Sequence, residues 1–271
     1  MNWRLLITPP ETGAWNMSVD EVLLLSTTSE QFLPTIRLYD WQPACLSLGY
    51  AQPITDVNLN HLQKQGWTLV RRPTGGRAIL HREEITYSIT APQDDPLVMG
   101  SLLESYKRIS QVLLRALQLM GIEARADQEY QNLSAQQRRE PICFEVPSNY
   151  EITANGKKLI GSAQARKSGG VLQHGSLPLG GDISVITSVL DYSSEEALVS
   201  AQKKILDHAT TLETILGKRL TWEEAATAFT QAFLEYFQEP VKQSDLLPFE
   251  FTLAQEIYRS KYSTASWNER I

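Results

Sequence analysis

Hydrophobic positions change period several times along the chain, and each change marks an element. The run "AWNMSVDEVLLLS" carries apolar residues at helical spacing with acidic residues near its start, and it reads as a helix after the short strand "WRLLI". "TIRLYDW" and "ACLSLGY" are β-rich runs split by Gln42-Pro43, which predicts a turn between adjacent strands. "NLNHLQKQG" is a helix closed by Gly66, and "WTLVRR", "RAILH" and "EITYSIT" read as three strands, the first two separated by "PTGG". The clearest helix is "SLLESYKRISQVLLRALQLMG". Leu102, Tyr106, Ile109, Leu113, Ala116 and Met120 recur every three or four positions, so one face is buried, and Gly121 is placed to end the helix.

Beyond it the polar stretch "DQEYQNLSAQQRRE" reads as a mobile loop, and strands return in "NYEITANGKKLIGSAQAR" and "GGVLQHGSLPL". Asn155-Gly156 between β-patterned flanks predicts a hairpin, because both central positions of a type I′ turn need positive φ. The remainder, "SSEEALVSAQKKI", "TWEEAATAFTQAFLEYF" and "FEFTLAQEIYRSKY", reads as helices. No repeat or Pro/Gly-rich linker divides the chain. The expectation is one α+β domain over residues 1–271, a mixed or antiparallel sheet covered by helices, with a helical tail over 221–271 and no accessory domain.

Composition narrows the classes. At 271 residues, 42% hydrophobic and 21% charged, the chain can bury a substantial core. A net charge of -6 argues against general nucleic-acid binding, which needs a basic surface against phosphates. The N-terminus carries no apolar signal core, and no window approaches the ~18 apolar residues of a membrane span. A cytoplasmic protein is expected. Two cysteines, Cys45 and Cys143, fit a reducing compartment, and the four histidines fall in no zinc-ligand spacing.

Three stretches carry candidate chemistry. In "RRPTGGRAILH", Gly75 and Gly76 permit a tight turn and close approach of a ligand, while Arg71, Arg72 and Arg77 are either solvated residues of a glycine hairpin or forked donors for carboxylate or phosphate. Lys158, two positions past the Asn-Gly turn, either snorkels to solvent or faces the small residues Gly161, Ser162 and Ala163, which leave room for a bound chain. Cys45, inside an apolar run, reads as a packing residue. Cys143, after a polar loop and before Phe144, is either packed or a nucleophile whose thiolate a nearby Lys158 would favour. His174, before Gly175, and His81, at a strand end, are each either hydrogen-bonded structure or site residues.

Together these stretches resemble the biotin/lipoate A/B protein ligase family over most of the chain. "NMSVDEVLL" is similar to its N-terminal helix, "RLYDWQPACLSLGYAQ" to its early strand pair, "RRPTGGRAILHREEITYSI" to its Arg-Arg-x-x-Gly-Gly signature, "GKKLIGSAQAR" to its lysine strand and "LQHGSL" to its His-Gly strand. The resemblance implies an α+β fold whose Gly-Gly loop and lysine strand embrace a medium-chain fatty acyl or lipoyl group, with Lys158 on the acyl carbonyl. "ICFEVPS" and the short tail after "LLPFEF" resemble the octanoyltransferase branch, in which Cys143 would accept octanoyl from octanoyl-acyl carrier protein and pass it to a lysine of a lipoyl carrier such as the glycine-cleavage H protein or a 2-oxoacid dehydrogenase E2 lipoyl domain.

No cofactor, metal, nucleic acid or membrane is implied. The arginines are expected to meet the carrier's acidic surface or its phosphopantetheine phosphate. "HREE" departs from the family's usual His-Asp, which leaves the role of His81 open, and the "RGGxxTxHxPGQ" pattern of the other octanoyltransferase class is missing. The alternatives are an ATP- and Mg²⁺-dependent lipoate ligase, a lipoyl-domain-to-lipoyl-domain amidotransferase, and a non-catalytic lipoyl- or carrier-binding protein. Biotin ligation fits less well, since no glycine-rich biotin-site pattern is evident.

Overall fold

The computed structural model describes residues 3–126, 142, 151–237 and 241–271. The candidate nucleophile Cys143 and the stretch "DQEYQNLSAQQRRE" lie outside these residues. Eleven strands and eight α-helices follow in the order β1 (Arg4–Ile7), α1 (Gly13–Leu25), β2 (Thr35–Tyr39), β3 (Cys45–Leu48), α2 (Leu59–Lys64), β4 (Thr68–Arg71), β5 (Ile79–His81), β6 (Glu84–Pro92) and α3 (Leu102–Leu119) among the described residues. Then come β7 (Arg125–Ala126), β8 (Ile152–Ala154), β9 (Lys157–Lys167), β10 (Gly170–Pro178), α4 (Glu195–His208), α5 (Leu212–Leu216), α6 (Trp222–Phe237), β11 (Lys242–Gln243), α7 (Pro248–Ile257) and α8 (Ala265–Asn268). The expected α+β class holds: a mixed eight-stranded sheet, ordered β11-β1-β2-β6-β10-β9-β8-β7, stands beside a three-stranded sheet, β4-β3-β5. Among the described residues no helix is long and apolar enough to cross a membrane.

Local signals explain many of these boundaries. Ser101 and Glu104 form a capping box that starts α3, whose buried Ile109, Val112, Leu113, Ala116 and Leu117 share one core with Ile85, Tyr87 and Ile89 of β6 and Phe229 and Phe233 of α6. Asn155 and Gly156 take positive φ, 51° and 74°, and turn β8 into β9 as the Asn-Gly pair predicts. Thr12 caps α1 by accepting from the Trp15 amide, and α1 contacts β6 and β10 on one side and β4 on the other.

Three expectations are corrected. β2 and β3 are not adjacent strands: β2 pairs with β1 and β6 in the large sheet, and β3 belongs to the small one. The "PTGG" segment does not close a hairpin, because β3 lies between β4 and β5, parallel to the first and antiparallel to the second. Asp20 and Glu21 fall in the middle of α1, so they do not serve its N-terminus. A carboxylate there must find a buried partner.

Candidate active site

Arg71 and Arg72 turn inward and build the loop that follows β4. Arg71 is fully buried, donating Nη1–H to the carbonyls of Gly49 (2.9 Å) and Gln52 (2.6 Å) and Nη2–H to that of Arg270 (2.9 Å). Arg72 donates Nη1–H to the carbonyl and hydroxyl of Ser47 (3.0 and 2.9 Å), and Nη2–H to the carbonyls of Gly75 (3.1 Å) and Arg77 (2.6 Å). One planar guanidinium thus grips both sides of the Gly75-Gly76 turn, a geometry suited to a rigid fork. These two forks face backbone carbonyls and not an acidic carrier surface. Gly75 and Gly76 are exposed and Arg77 is half-buried. A Cβ on Gly49 would overlap the Gly76 carbonyl oxygen, so the turn sits directly on the backbone after β3.

Both histidines are buried and hydrogen-bonded at both nitrogens. His174, on β10, places Nδ1 3.1 Å from Asp20 Oδ2 and Nε2 2.7 Å from Thr74 Oγ1. Burial lowers the His174 pKa, and the Asp20 hydrogen bond only partly restores it, so the ring is neutral. Asp20 is held ionised: burial opposes its charge, but the His174 bond and the Arg37 guanidinium outweigh it and keep the pKa below the ordinary value. With an ionised acceptor at Nδ1, the tautomer follows. Nδ1–H donates to Asp20 and Nε2 accepts from the Thr74 hydroxyl. Asp20 also accepts from Arg37 (3.0 Å), Tyr39 (2.8 Å) and Ser88 (2.9 Å).

His81, at the end of β5, places Nδ1 2.7 Å from Glu84 Oε1 and Nε2 2.8 Å from Ser47 Oγ. Trp41 stacks on its ring with centroids 3.8 Å apart.

Lys158, on β9, does not snorkel. It is 3% exposed, and its Nζ donates to Glu151 Oε1 at 2.5 Å. Its backbone carbonyl accepts from the Thr210 amide (3.0 Å), and a register shift between Ile152 and Thr153 sets Thr153 opposite Lys158. Further along β9, Gly161, Ser162 and Ala163 pair with Ser176, Gly175 and His174 of β10, so "GSA" and "HGS" lie side by side. Ser162 Oγ is 2.7 Å from the Tyr87 hydroxyl. A Cβ on Gly175 would stand 2.6 Å from Ser162 Oγ and 2.7 Å from both the Gly161 carbonyl oxygen and Tyr87 Cε1, which is why glycine is needed in that register.

The loop residues Arg72, Gly75, Gly76 and Arg77 therefore join His81 through Ser47, and Thr74 joins His174. The β9–β10 pairing connects His174 and Gly175 to the lysine strand. Ile142 forms a parallel bridge with Ala78, which brings the residue before Cys143 to the chain just past the glycine turn. Cys45 is buried among Met17, Tyr39 and Val70, and burial pushes its thiol up to about 12, as a packing residue should behave. Among the described residues no group of three His, Cys, Asp or Glu side chains stands together as a metal site would require.

Asp20, Arg37, Ser47, Thr74, Glu84 and Glu151 complete these networks, and sequence reasoning did not select them. Asp20 left a signal as a carboxylate inside the apolar run "SVDEVLLL", and Thr74 and Glu84 lie inside the quoted "RRPTGG" and "HREE".

Comparison with known proteins supplies a frame for this geometry. Residues 12–234 match the family described as lipoyl protein ligase A/B catalytic domain. The octanoyltransferase LipM of Brevibacillus brevis is 37% identical over 99% of both chains, and that of Bacillus subtilis is 33% identical over 98% of this chain and 97% of its own. Among solved structures, a bipartite lipoate protein ligase of Thermoplasma acidophilum, described with its E2 lipoyl domain, superposes with a TM-score of 0.82 at 22% identity, covering 99% of this chain and 96% of that one. A lipoate-protein ligase A bound with ATP superposes with a TM-score of 0.80 at 23% identity over 99% of both chains. At those identities the two structures speak to the fold.

Proposed function

Because the chain belongs to the lipoyl protein ligase A/B catalytic domain family, we propose that it is an octanoyltransferase of protein lipoylation that works through an acyl-Cys143 intermediate. Full-length similarity to octanoyltransferases at 33–37% identity supports the transfer activity. The Ile142–Ala78 bridge carries the choice of site, because Cys143 is covalently next to Ile142 and the bridge anchors that point of the chain beside the Gly75-Gly76 turn. Cys45 offers no rival nucleophile, since the apolar surroundings that raise its pKa suppress the thiolate.

The Cys143 thiolate attacks the carbonyl carbon of octanoyl-acyl carrier protein, a new C–S bond forms, and the carrier thiolate leaves. The ε-amine of a lysine on a lipoyl carrier then attacks the Cys143 thioester, loses a proton as the amide forms, and returns the cysteine thiol. Exchange between thioesters is nearly isoenergetic and thioester to amide is downhill, so neither ATP nor a metal is required. Dividing one difficult transfer into two steps is the gain from a covalent intermediate. Lys158 faces the carbonyl on which negative charge develops in both steps, and the Gly75-Gly76 turn lies along the bound acyl chain. An eight-carbon chain buries about six methylenes and a methyl at ~0.8 kcal/mol each, roughly 5 kcal/mol, so the depth of the apolar site can select chain length.

The acceptor class follows the lipoyl domain described with the archaeal ligase, and the acyl carrier protein follows from the need for an activated octanoyl thioester. The test is transfer of octanoyl from octanoyl-acyl carrier protein to a lipoyl domain without nucleotide. Transfer that proceeds without ATP supports the reading, and modification that requires free lipoate with ATP identifies a ligase instead.

A further inference from the structure

Two carboxylate–imidazole–hydroxyl chains reach the loop after β4, one ending on Thr74 within it and the other on Ser47 of β3, which Arg72 ties to it. One runs from Asp20 through His174 to Thr74, and the other from Glu84 through His81 to Ser47, whose hydroxyl also accepts from Arg72. Each has the connectivity of a hydrolytic triad. Neither is read as a catalytic triad, since Ser47 is 0% and Thr74 1% exposed. Their effect is on the loop.

The Arg72 fork fixes the turn at the Gly75 and Arg77 carbonyls, and Thr74 anchors its entry by accepting from the Tyr50 amide (2.9 Å) through its carbonyl and donating to His174 through its hydroxyl. Between these anchors, Gly75 and Gly76 are exposed; Gly76 takes φ 93°, and a Cβ on Gly75 would meet nothing within 4 Å. Two adjacent glycines are the most freely rotating segment a chain can offer, and ordering them costs binding free energy unless the scaffold has done so beforehand.

We propose that His174 is a positioning residue for acyl recognition: held by Asp20 in one tautomer, it latches the Thr74 hydroxyl and preforms the Gly75-Gly76 turn against which the acyl chain binds. The inference rests on the acyl-binding role of that turn given under Proposed function. Because Arg72 holds the turn independently, losing the latch loosens acyl binding without dissolving the loop. The effect therefore falls on affinity and not on turnover.

Thr74→Val removes the hydroxyl at constant shape, and Thr74→Ser restores it. Steady-state octanoyl transfer is measured for both variants and for His174→Gln, alongside calorimetric binding of free octanoate and the thermal midpoint. The expected result is a rise of about tenfold in KM for the octanoyl donor and in the octanoate Kd for Thr74→Val and His174→Gln. With it go a kcat within about twofold, a Thr74→Val midpoint within about 2 °C of the parent, and near-parental values for Thr74→Ser. An unchanged KM and Kd for Thr74→Val overturns the latch, as does a serine variant as impaired as the valine one. Should the parent show no octanoyl transfer at all, the function reading fails on its own, while the octanoate Kd of Thr74→Val against the parent still decides the latch.

Discussion

Lys158 Nζ donates to Glu151 Oε1 at 2.5 Å, and both side chains are buried, at 3% and 7% exposure. A buried ammonium tends to lose its proton, and a carboxylate beside it opposes that loss. Glu151 is thus the buried counter-charge of a lysine proposed to meet the developing oxyanion. Glu151→Gln removes the counter-charge, and breaking a buried pair in this way costs roughly 3 kcal/mol of stability. Chemical denaturation should show that loss, and kcat/KM should fall by about tenfold or more.

Lys158→Met keeps the length of the side chain and deletes its charge. If the ammonium stabilises the transition-state oxyanion, octanoyl transfer should fall by about 10² to 10³ in kcat, the usual cost of one such donor. Stopped assays with saturating donor read this directly, and a kcat within threefold of the parent contradicts the role.

Gly175→Ala tests the register of "HGS" against "GSA". The added Cβ would stand 2.6 Å from Ser162 Oγ and 2.7 Å from the Gly161 carbonyl and Tyr87 Cε1, so β9 and β10 must part or the Tyr87–Ser162 bond must break. Overpacking of this kind costs about 1–3 kcal/mol. Urea melts should detect it.

The neutral state of His174 makes folding sensitive to acid. Burial lowers its folded pKa below the ordinary 6.5 of a histidine, so between the two values the unfolded chain binds the extra proton and stability falls as pH falls. The stability is fully present above pH 6.5 and is lost below it with a slope of up to ~1.4 kcal/mol per pH unit. Burial sets the direction of the shift, Asp20 opposes it, and the charges of Arg72 and His81 add to it. Comparing urea melts at pH 7.5 and at about 5.5, the parent should lose more stability than His174→Gln, and equal losses would remove His174 from the account.

What the sequence made legible was local. The Asn155-Gly156 turn, the stripe of α3 and the glycine stop after it each depend on residues within one turn of each other, and each is present, although Leu102 at the start of the stripe is exposed and Met120 at its end is half-buried. The candidate site is legible as motifs on the same scale: the glycine turn, the lysine strand and the His-Gly strand. The partnerships were not. Asp20 and His174 lie 154 positions apart, and Arg71 bonds to Arg270 across 199. No periodicity encodes such pairs, because the first arises when α1 packs on β10 and the second when the C-terminal segment packs on β4. The split of β2 from β3 has the same cause: the Gln42-Pro43 turn marks a change of direction, and only the packing of both sheets on α1 decides which sheet the second strand joins.

The most direct test of the acyl-Cys143 account is intact-mass spectrometry of the protein after incubation with octanoyl-acyl carrier protein, without ATP, beside Cys143→Ser. The account predicts one added octanoyl group on the parent, removed by hydroxylamine, and none that hydroxylamine removes on the variant. A parent that stays unmodified while still octanoylating a lipoyl domain, or a Cys143→Ser protein that transfers at the parental rate, would contradict it.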